Sequence, residues 1–236
     1  MGEYLVAYID ILGATNKIKS DAYYEFLSNA NGLFTDTIGD YFIKNELIEY
    51  RVFSDNILFA IKKDVLLNNL NEDLFNKFLF FVAHYLDNAL YSYGLLCRGA
   101  ITMGDLCMPE KGIVLGKALV RAYEMENKIA IYPRVIVDND ILHNFNDYSL
   151  LKLCEDRLYM VDYFSIMNKS SLIKSQKIIK LYRLLADCWD DLKVRSKIIW
   201  LMNQYEKSFD NIKFDTSKKP TEEFIYSLVL ESRKKK

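Results

Sequence analysis

Two carboxylates stand out by their position. Asp10 interrupts an apolar run, Tyr4-Leu5-Val6-Ala7-Tyr8-Ile9, that reads as a buried strand, and Gly13 follows three residues later. An ionised Asp in such a strand needs a partner. A divalent cation at the strand end supplies one, and Gly13 would let backbone and a phosphate come close. The alternative is an Asp that caps the next helix or stabilises a turn. Asp55 lies in Ser54-Asp55-Asn56, a short polar break between the apolar segments Leu47 to Phe53 and Ile57 to Ile61. That pattern predicts a β-hairpin with Asp55 at its tip. Two carboxylates at neighbouring strand ends are the minimal scaffold for two divalent cations. On a nucleoside triphosphate, such ions activate a hydroxyl and neutralise the leaving pyrophosphate.

The elements that must position these acids follow from periodicity. After Gly13, Tyr23, Phe26, Leu27, Ala30 and Phe34 fall at helical spacing. Asn71 to Tyr93 reads as a long amphipathic helix stopped by Gly94. Leu95 to Met103 reads as a strand ending at Gly104, and a helix follows Gly116 to about Ile129. Pro133 to Val137 and Arg157 to Phe164 are further strands. The order β-α-β-β-α-β-(β)-α-β, with helices returning to one face, predicts an α+β sandwich of the ferredoxin-like or palm kind. Strand one then lies beside the hairpin, and Asp10 and Asp55 converge at one end of the sheet. Amphipathic helices are expected over Ser170 to Trp189, Val194 to Phe209 and Thr221 to Arg233. The division expected is an α+β domain over 1–168 and a helical extension over 169–236, packed on the core or at a dimer interface.

Composition narrows the class. The chain has 236 residues, 51% hydrophobic, with a net charge of -1, enough for one large domain with an extension. Near-neutral charge gives no argument for duplex nucleic acid or a membrane surface. Cys97, Cys107, Cys154 and Cys188 form no CxxC pair and have no His at ligand spacing, so reduced cytoplasmic thiols are expected rather than a zinc site. The apolar stretches are too short to span a bilayer, and the N-terminus lacks the basic start of a signal peptide.

Four segments occur in order: Tyr-Ile-Asp10-Ile-Leu-Gly13, Phe-Ser-Asp55-Asn-Ile-Leu-Phe-Ala, Arg98-Gly-Ala-Ile-Thr-Met-Gly104, and Gly116-Lys-Ala-Leu-Val-Arg-Ala122-Tyr-Glu-Met-Glu126. Over about residues 4 to 140 the series resembles the catalytic domain of class III nucleotidyl (adenylate and guanylate) cyclases. It also resembles bacterial cyclase-like proteins, whose relatives in anti-phage systems make cyclic pyrimidine nucleotides. The resemblance implies a cytoplasmic homodimeric lyase. It would convert a nucleoside triphosphate to a cyclic nucleotide and pyrophosphate, as a signalling or defence messenger. By the same resemblance Asp10 and Asp55 match the metal carboxylates for two Mg2+ or Mn2+ ions. Ile11, Leu12 and Gly13 match the loop that approaches the triphosphate, Ile11 also through its carbonyl. Arg51 sits where many purine cyclases carry a base-selecting Lys.

The departures bear on turnover. Ser54 replaces a Gly, Ile113 an acidic or polar base-selecting residue, Val120 the Asn that orients the ribose, and Glu124 the Arg that stabilises transition-state charge. Losing such an Arg costs of order 10³ in rate. Arg98 and Arg121 are the candidate catalytic substitutes, with Lys117 and Arg134 behind them. Arg98 reads as the salt-bridge partner of a buried acid before it reads as catalytic, and Glu124 and Glu126 read equally as a solvated helix face. Asp162 reads as a sheet-edge residue. Three other functions stay open: a catalytically degenerate nucleotide-binding module, an oligomerisation or interaction protein that has only inherited the fold, and a palm-type cyclic oligonucleotide synthase.

Overall fold

The strict alternation of β1, Gly2–Ile11, decides which side chains face which layer. Along it Leu5, Ala7, Ile9 and Ile11 are buried, and so are Tyr4 and Val6 on the opposite side, while Tyr8 and Asp10 are half-buried. A strand that buries both faces must lie inside a covered sheet. The computed structural model describes residues 1–12, 25, 41–42, 44–68, 73–110, 112–166, 171–209 and 211–233. The helical pattern expected at Tyr23 to Phe34 lies outside the described residues, as does Gly13.

Seven strands form one mixed sheet in the order β2-β3-β1-β4-β5-β7-β6. They are β2 (Glu49–Phe53), β3 (Asn56–Lys62), β4 (Cys97–Leu106), β5 (Val135–Val137), β6 (Leu151–Leu153) and β7 (Tyr159–Val161), with β1 already given. The helices of this part are α1 (Lys63–Asn68), α2 (Leu74–Tyr91) and α3 (Lys117–Lys128), with a 3-10 turn at Asn139–Asn144. The fold class is α+β, as the element order predicts. The hairpin also appears: Phe53 pairs Asn56, which leaves Ser54-Asp55 as a two-residue loop, with Ser54 at φ 54°. A left-handed residue in that loop matches the twist of the flanking strands.

The layers differ from the one-faced expectation. Residues opposite each other in an antiparallel pair share a face. Ala7 lies opposite both Phe59 and Ile101, and the Phe59 ring meets Phe81 and Tyr85 of α2 edge-on at 4.9 and 5.5 Å. Val6 lies opposite Ala60 and Thr102, and the Thr102 hydroxyl donates to Ala118 O of α3 at 2.8 Å. So α2 covers one face and α3 the other. The reason is in the side chains: α2 brings large rings to Phe59, whereas α3 brings Ala118 and Ala122 against Ala60 and Ala100. The sequence reading also passed over α1 and β6, and β7 is an interior strand. Asp162, just past the end of β7, is therefore not on a sheet edge.

The chain divides into two compact units, Met1–Tyr163 and Phe164–Lys236. A four-residue helix α4, Tyr163–Ile166, straddles that boundary. In the second unit α5 (Ser171–Asp187), α6 (Leu192–Lys207) and α7 (Glu222–Arg233) pack around Tyr182, Tyr205, Phe214 and Phe224. Among the described residues no helix is long and apolar enough to cross a membrane.

A tight point of the sheet sits beside the candidate site. A Cβ built on Gly99 would stand 2.3 Å from Tyr8 O and 3.1 Å from Ile9 Cα. Gly99→Ala must push β4 off β1, and a loss of about 1–3 kcal/mol of stability is expected. Urea denaturation checks it; an unchanged midpoint would contradict the packing described.

Candidate functional site

The register brings the two predicted acids to one end of the sheet. Asp10 lies opposite Asn56 on β3 and opposite Arg98 on β4. The Ile11 amide donates to Asp55 O at 3.0 Å, which fixes the hairpin tip against the end of β1. Asp55 also accepts from its neighbour Asn56 Nδ2 at 3.0 Å. Both acids are half-buried. Asp10, Tyr8, Arg98 and Arg51 share the α3 face, because Arg51 lies opposite Leu58 and Leu58 opposite Tyr8.

Arg98 is the hub. Its Nε donates to Asp10 Oδ2 at 3.3 Å, and the same nitrogen stands 2.5 Å from Glu126 Oε1 on α3. The Nε–H is aligned on Asp10, and Glu126 Oε1 is buried without an aligned hydrogen bond. The side chains of Arg98, Asp10 and Glu126 are 21%, 16% and 4% exposed, so the ion pairs are largely shielded from water. Burial pushes the Glu126 carboxyl up to about 7; Arg98 opposes that shift, and the Asp10 and Asp55 charges add to it. Burial also holds the Tyr8 phenol well above its usual range, with Glu126, Asp10 and Asp55 behind it. Tyr8 therefore stays a neutral hydroxyl beside the acids, its ring edge-on to Tyr123 at 6.1 Å.

Glu126 was not singled out by the sequence reading, which left it on a solvated face with Glu124. Glu124 is exposed and pairs with Lys128, but Glu126 is only 3% exposed. A signal was present: Ala118, Ala122, Met125 and Glu126 form the inward stripe of α3 at helical spacing. An acid on that stripe must meet a partner, and Arg98 is directly across from it.

The other predicted residues are dispersed. Arg121 points to Asp138, Nε to Oδ2 at 2.9 Å. Lys117 pairs with Asp105 at 3.6 Å, and the buried Arg134 pairs with Asp156. Arg51 is held by two carbonyls, Tyr50 O and Pro109 O, both at 2.8 Å. In the expected phosphate loop two backbone amides already have acceptors. The Ile11 amide is used by Asp55 O and the Leu12 amide by Leu96 O at 2.7 Å, so neither is left for a phosphate oxygen. Val120 is exposed on α3, and Ile113 is exposed before it.

The donor set suits a hard divalent cation. Asp10, Asp55 and Glu126 are its acids, and Arg98 meets Asp10 and Glu126. Among the described residues no group of three or more His, Cys, Asp or Glu side chains has the arrangement to enclose an ion.

No family model and no curated protein matches the chain. Among solved structures it is similar to the monomeric guanylyl cyclase domain of a RhoGC fusion protein from the aquatic fungus Blastocladiella emersonii. That similarity has 14% identity and a TM-score of 0.46, and covers 68% of this chain and 95% of that one. It is similar to the catalytic core of a rhodopsin-guanylyl cyclase with converted specificity in complex with ATPalphaS, at 12% identity and TM-score 0.43, over 68% and 95%. It is also similar to a bacterial light-regulated adenylyl cyclase, at 14% identity and TM-score 0.38, over 75% and 58%. At such identities and scores the likeness carries no argument about activity, and the functional reading rests on the site itself.

A carboxyl with a raised folded pKa keeps its proton where the unfolded chain has already released it. Stability is therefore expected to fall as pH rises from about 4.5 to about 7, the interval between the ordinary Glu126 value and its folded one. Glu126→Gln should flatten that window in urea midpoints measured across it. An equally steep fall in the variant would contradict the assignment.

Proposed function

We propose that this chain is a metal-dependent nucleotidyl cyclase-like enzyme that closes a nucleoside triphosphate into a cyclic nucleotide and releases pyrophosphate. The observation that carries the reading is the convergence of Asp10 and Asp55 at one strand end, fixed by the Asp10–Asn56 register and the Ile11-to-Asp55 hydrogen bond. In the reaction the 3′-oxygen bonds to the α-phosphorus, the bond to the bridging oxygen breaks, and the hydroxyl proton leaves to water. Asp10 and Asp55 would hold Mg2+ or Mn2+. Such ions lower the pKa of the attacking hydroxyl and neutralise charge on the phosphates.

The chain's own groups have separate tasks. Arg98 lies on the acid-lined face and carries the guanidinium nearest Asp10, so it is the cation placed to meet a phosphate oxygen. Tyr8, kept neutral, can donate its hydroxyl proton to an oxygen near the acids. The apolar face of α2 and the aromatic layer behind β3 keep the sheet rigid under the site. Val120 and Tyr123, which α3 leaves exposed, support the expected homodimer.

A second reading is favoured by one observation. Both candidate arginines are already held by carboxylates, Arg98 by Asp10 and Glu126 and Arg121 by Asp138. A chain whose cations stay so engaged would bind a nucleotide without turning it over.

Incubation with Mn2+ and each of ATP, GTP, CTP and UTP separates the two. Cyclic product and pyrophosphate from at least one triphosphate are expected, abolished by Asp10→Ala or Asp55→Ala and lowered about 10³-fold by Arg98→Ala. Product mass distinguishes a cyclic mononucleotide from a cyclic oligonucleotide. Nucleotide binding without pyrophosphate, in the presence of any partner that activates the chain, would leave the binding-module reading.

A further inference from the structure

We propose that Glu126 is a positioning residue for cation binding at Asp10: it takes over the Arg98 guanidinium that would otherwise stay on Asp10 and compete with the cation. The proposal rests on the reading of Asp10 as a metal carboxylate. Its basis is the shared nitrogen. Arg98 Nε directs its hydrogen at Asp10 Oδ2, 3.3 Å away, while Glu126 Oε1 waits 2.5 Å from the same atom with no aligned hydrogen bond. A small turn of the guanidinium moves the hydrogen bond from one acid to the other.

The electrostatics make both arrangements acceptable and the intermediates poor. A buried charge without a partner is strongly disfavoured. With no cation present, Arg98 opposes Asp10 and Glu126 together. With a cation on Asp10, like charges drive Arg98 away from that acid, and the 3% exposed Glu126 is the anion that remains for it. Every buried charge then still faces an opposite one. Without the Glu126 charge, Arg98 has only Asp10 as its acid in this cluster, and a cation must displace it unaided. Arg98 would then act as an internal competitor for the metal position.

Glu126 reaches this point because it lies on the face of α3 that packs on the sheet beside Ala118 and Ala122. Gly104 and Ala118 are in van der Waals contact range, 3.8 Å from a Cβ built on the glycine to the Ala118 Cβ. Ala122 packs on Ala100, two residues from Arg98 in β4. The carboxylate is thus set by backbone packing rather than by a mobile surface side chain.

Calorimetric titration of the full chain with Mn2+, without nucleotide, tests this at about pH 8, above the Glu126 pKa of about 7. The wild type should bind and Asp10→Asn should not. Glu126→Gln should bind roughly 10- to 100-fold more weakly. The double variant Arg98→Met with Glu126→Gln should recover most of that loss, because the competitor is gone, and Arg98→Met alone should bind at least as tightly as wild type. Simple structural damage at Glu126 would not be repaired by a second substitution. Wild-type affinity in Glu126→Gln, or a double variant as weak as the single one, overturns the proposal while leaving the metal reading intact. If Glu126→Gln does not fold, weaker binding by Arg98→Met than by wild type overturns it instead. No Mn2+ binding by wild type, or undiminished binding by Asp10→Asn, removes the metal reading and this proposal with it.

Discussion

The site depends on one guanidinium shared by two acids. Arg98 lies between β1 and α3 and is the cation that lets Asp10 and Glu126 be buried. A carboxylate on the covered face of a sheet costs several kcal/mol unless it is paired and hydrogen-bonded. The strand register sets Arg98 directly across from Asp10, and the α3 stripe sets Glu126 on its other side. The same guanidinium serves both of these acids, and the Asp55 charge acts on Glu126 as well. Burial raises the Glu126 carboxyl to about 7, Arg98 opposes the shift, and the Asp10 and Asp55 charges add to it. The cation proposed at Asp10 and Asp55 would add positive charge to the same cluster.

The two faces of the sheet have been given different work. The face under α2 is large and aromatic, with Phe59 held by Phe81 and Tyr85. It makes the sheet stiff and offers no polar group to the site. The face under α3 is small and close, lined with Ala60, Ala100, Ala118 and Ala122. Small residues there let a helix approach near enough for an acid to reach across to β4. A larger residue at one of these alanines would push α3, and Glu126 with it, away from β4.

Much of this was legible from residue patterns, for stated reasons. Asp10 broke a strand's apolar run and Asp55 sat at a hairpin tip, and both signals are local. The longer elements also came from local periodicity, which is why α2, α3 and the strands β1 to β4 fell near their expected places. What was not legible depended on tertiary packing. Glu126 looked like surface because an acid in a charged helix usually is; only the face of α3 that meets the sheet makes it buried. The opposition of α2 and α3 across the sheet could not be read from element order, and β6, three residues long, gives too short a pattern to register. The Ile11 and Leu12 amides were expected to face phosphate, but strand pairing claims both of them.

The most direct test is crystallographic: crystals soaked in Mn2+ with a non-hydrolysable nucleoside triphosphate, read by anomalous diffraction at the manganese edge. The account predicts a manganese peak touching both the Asp10 and Asp55 carboxylates, with the Arg98 guanidinium on Glu126. Crystals with Arg98 still on Asp10 at saturating Mn2+ and no peak between the two acids would contradict it.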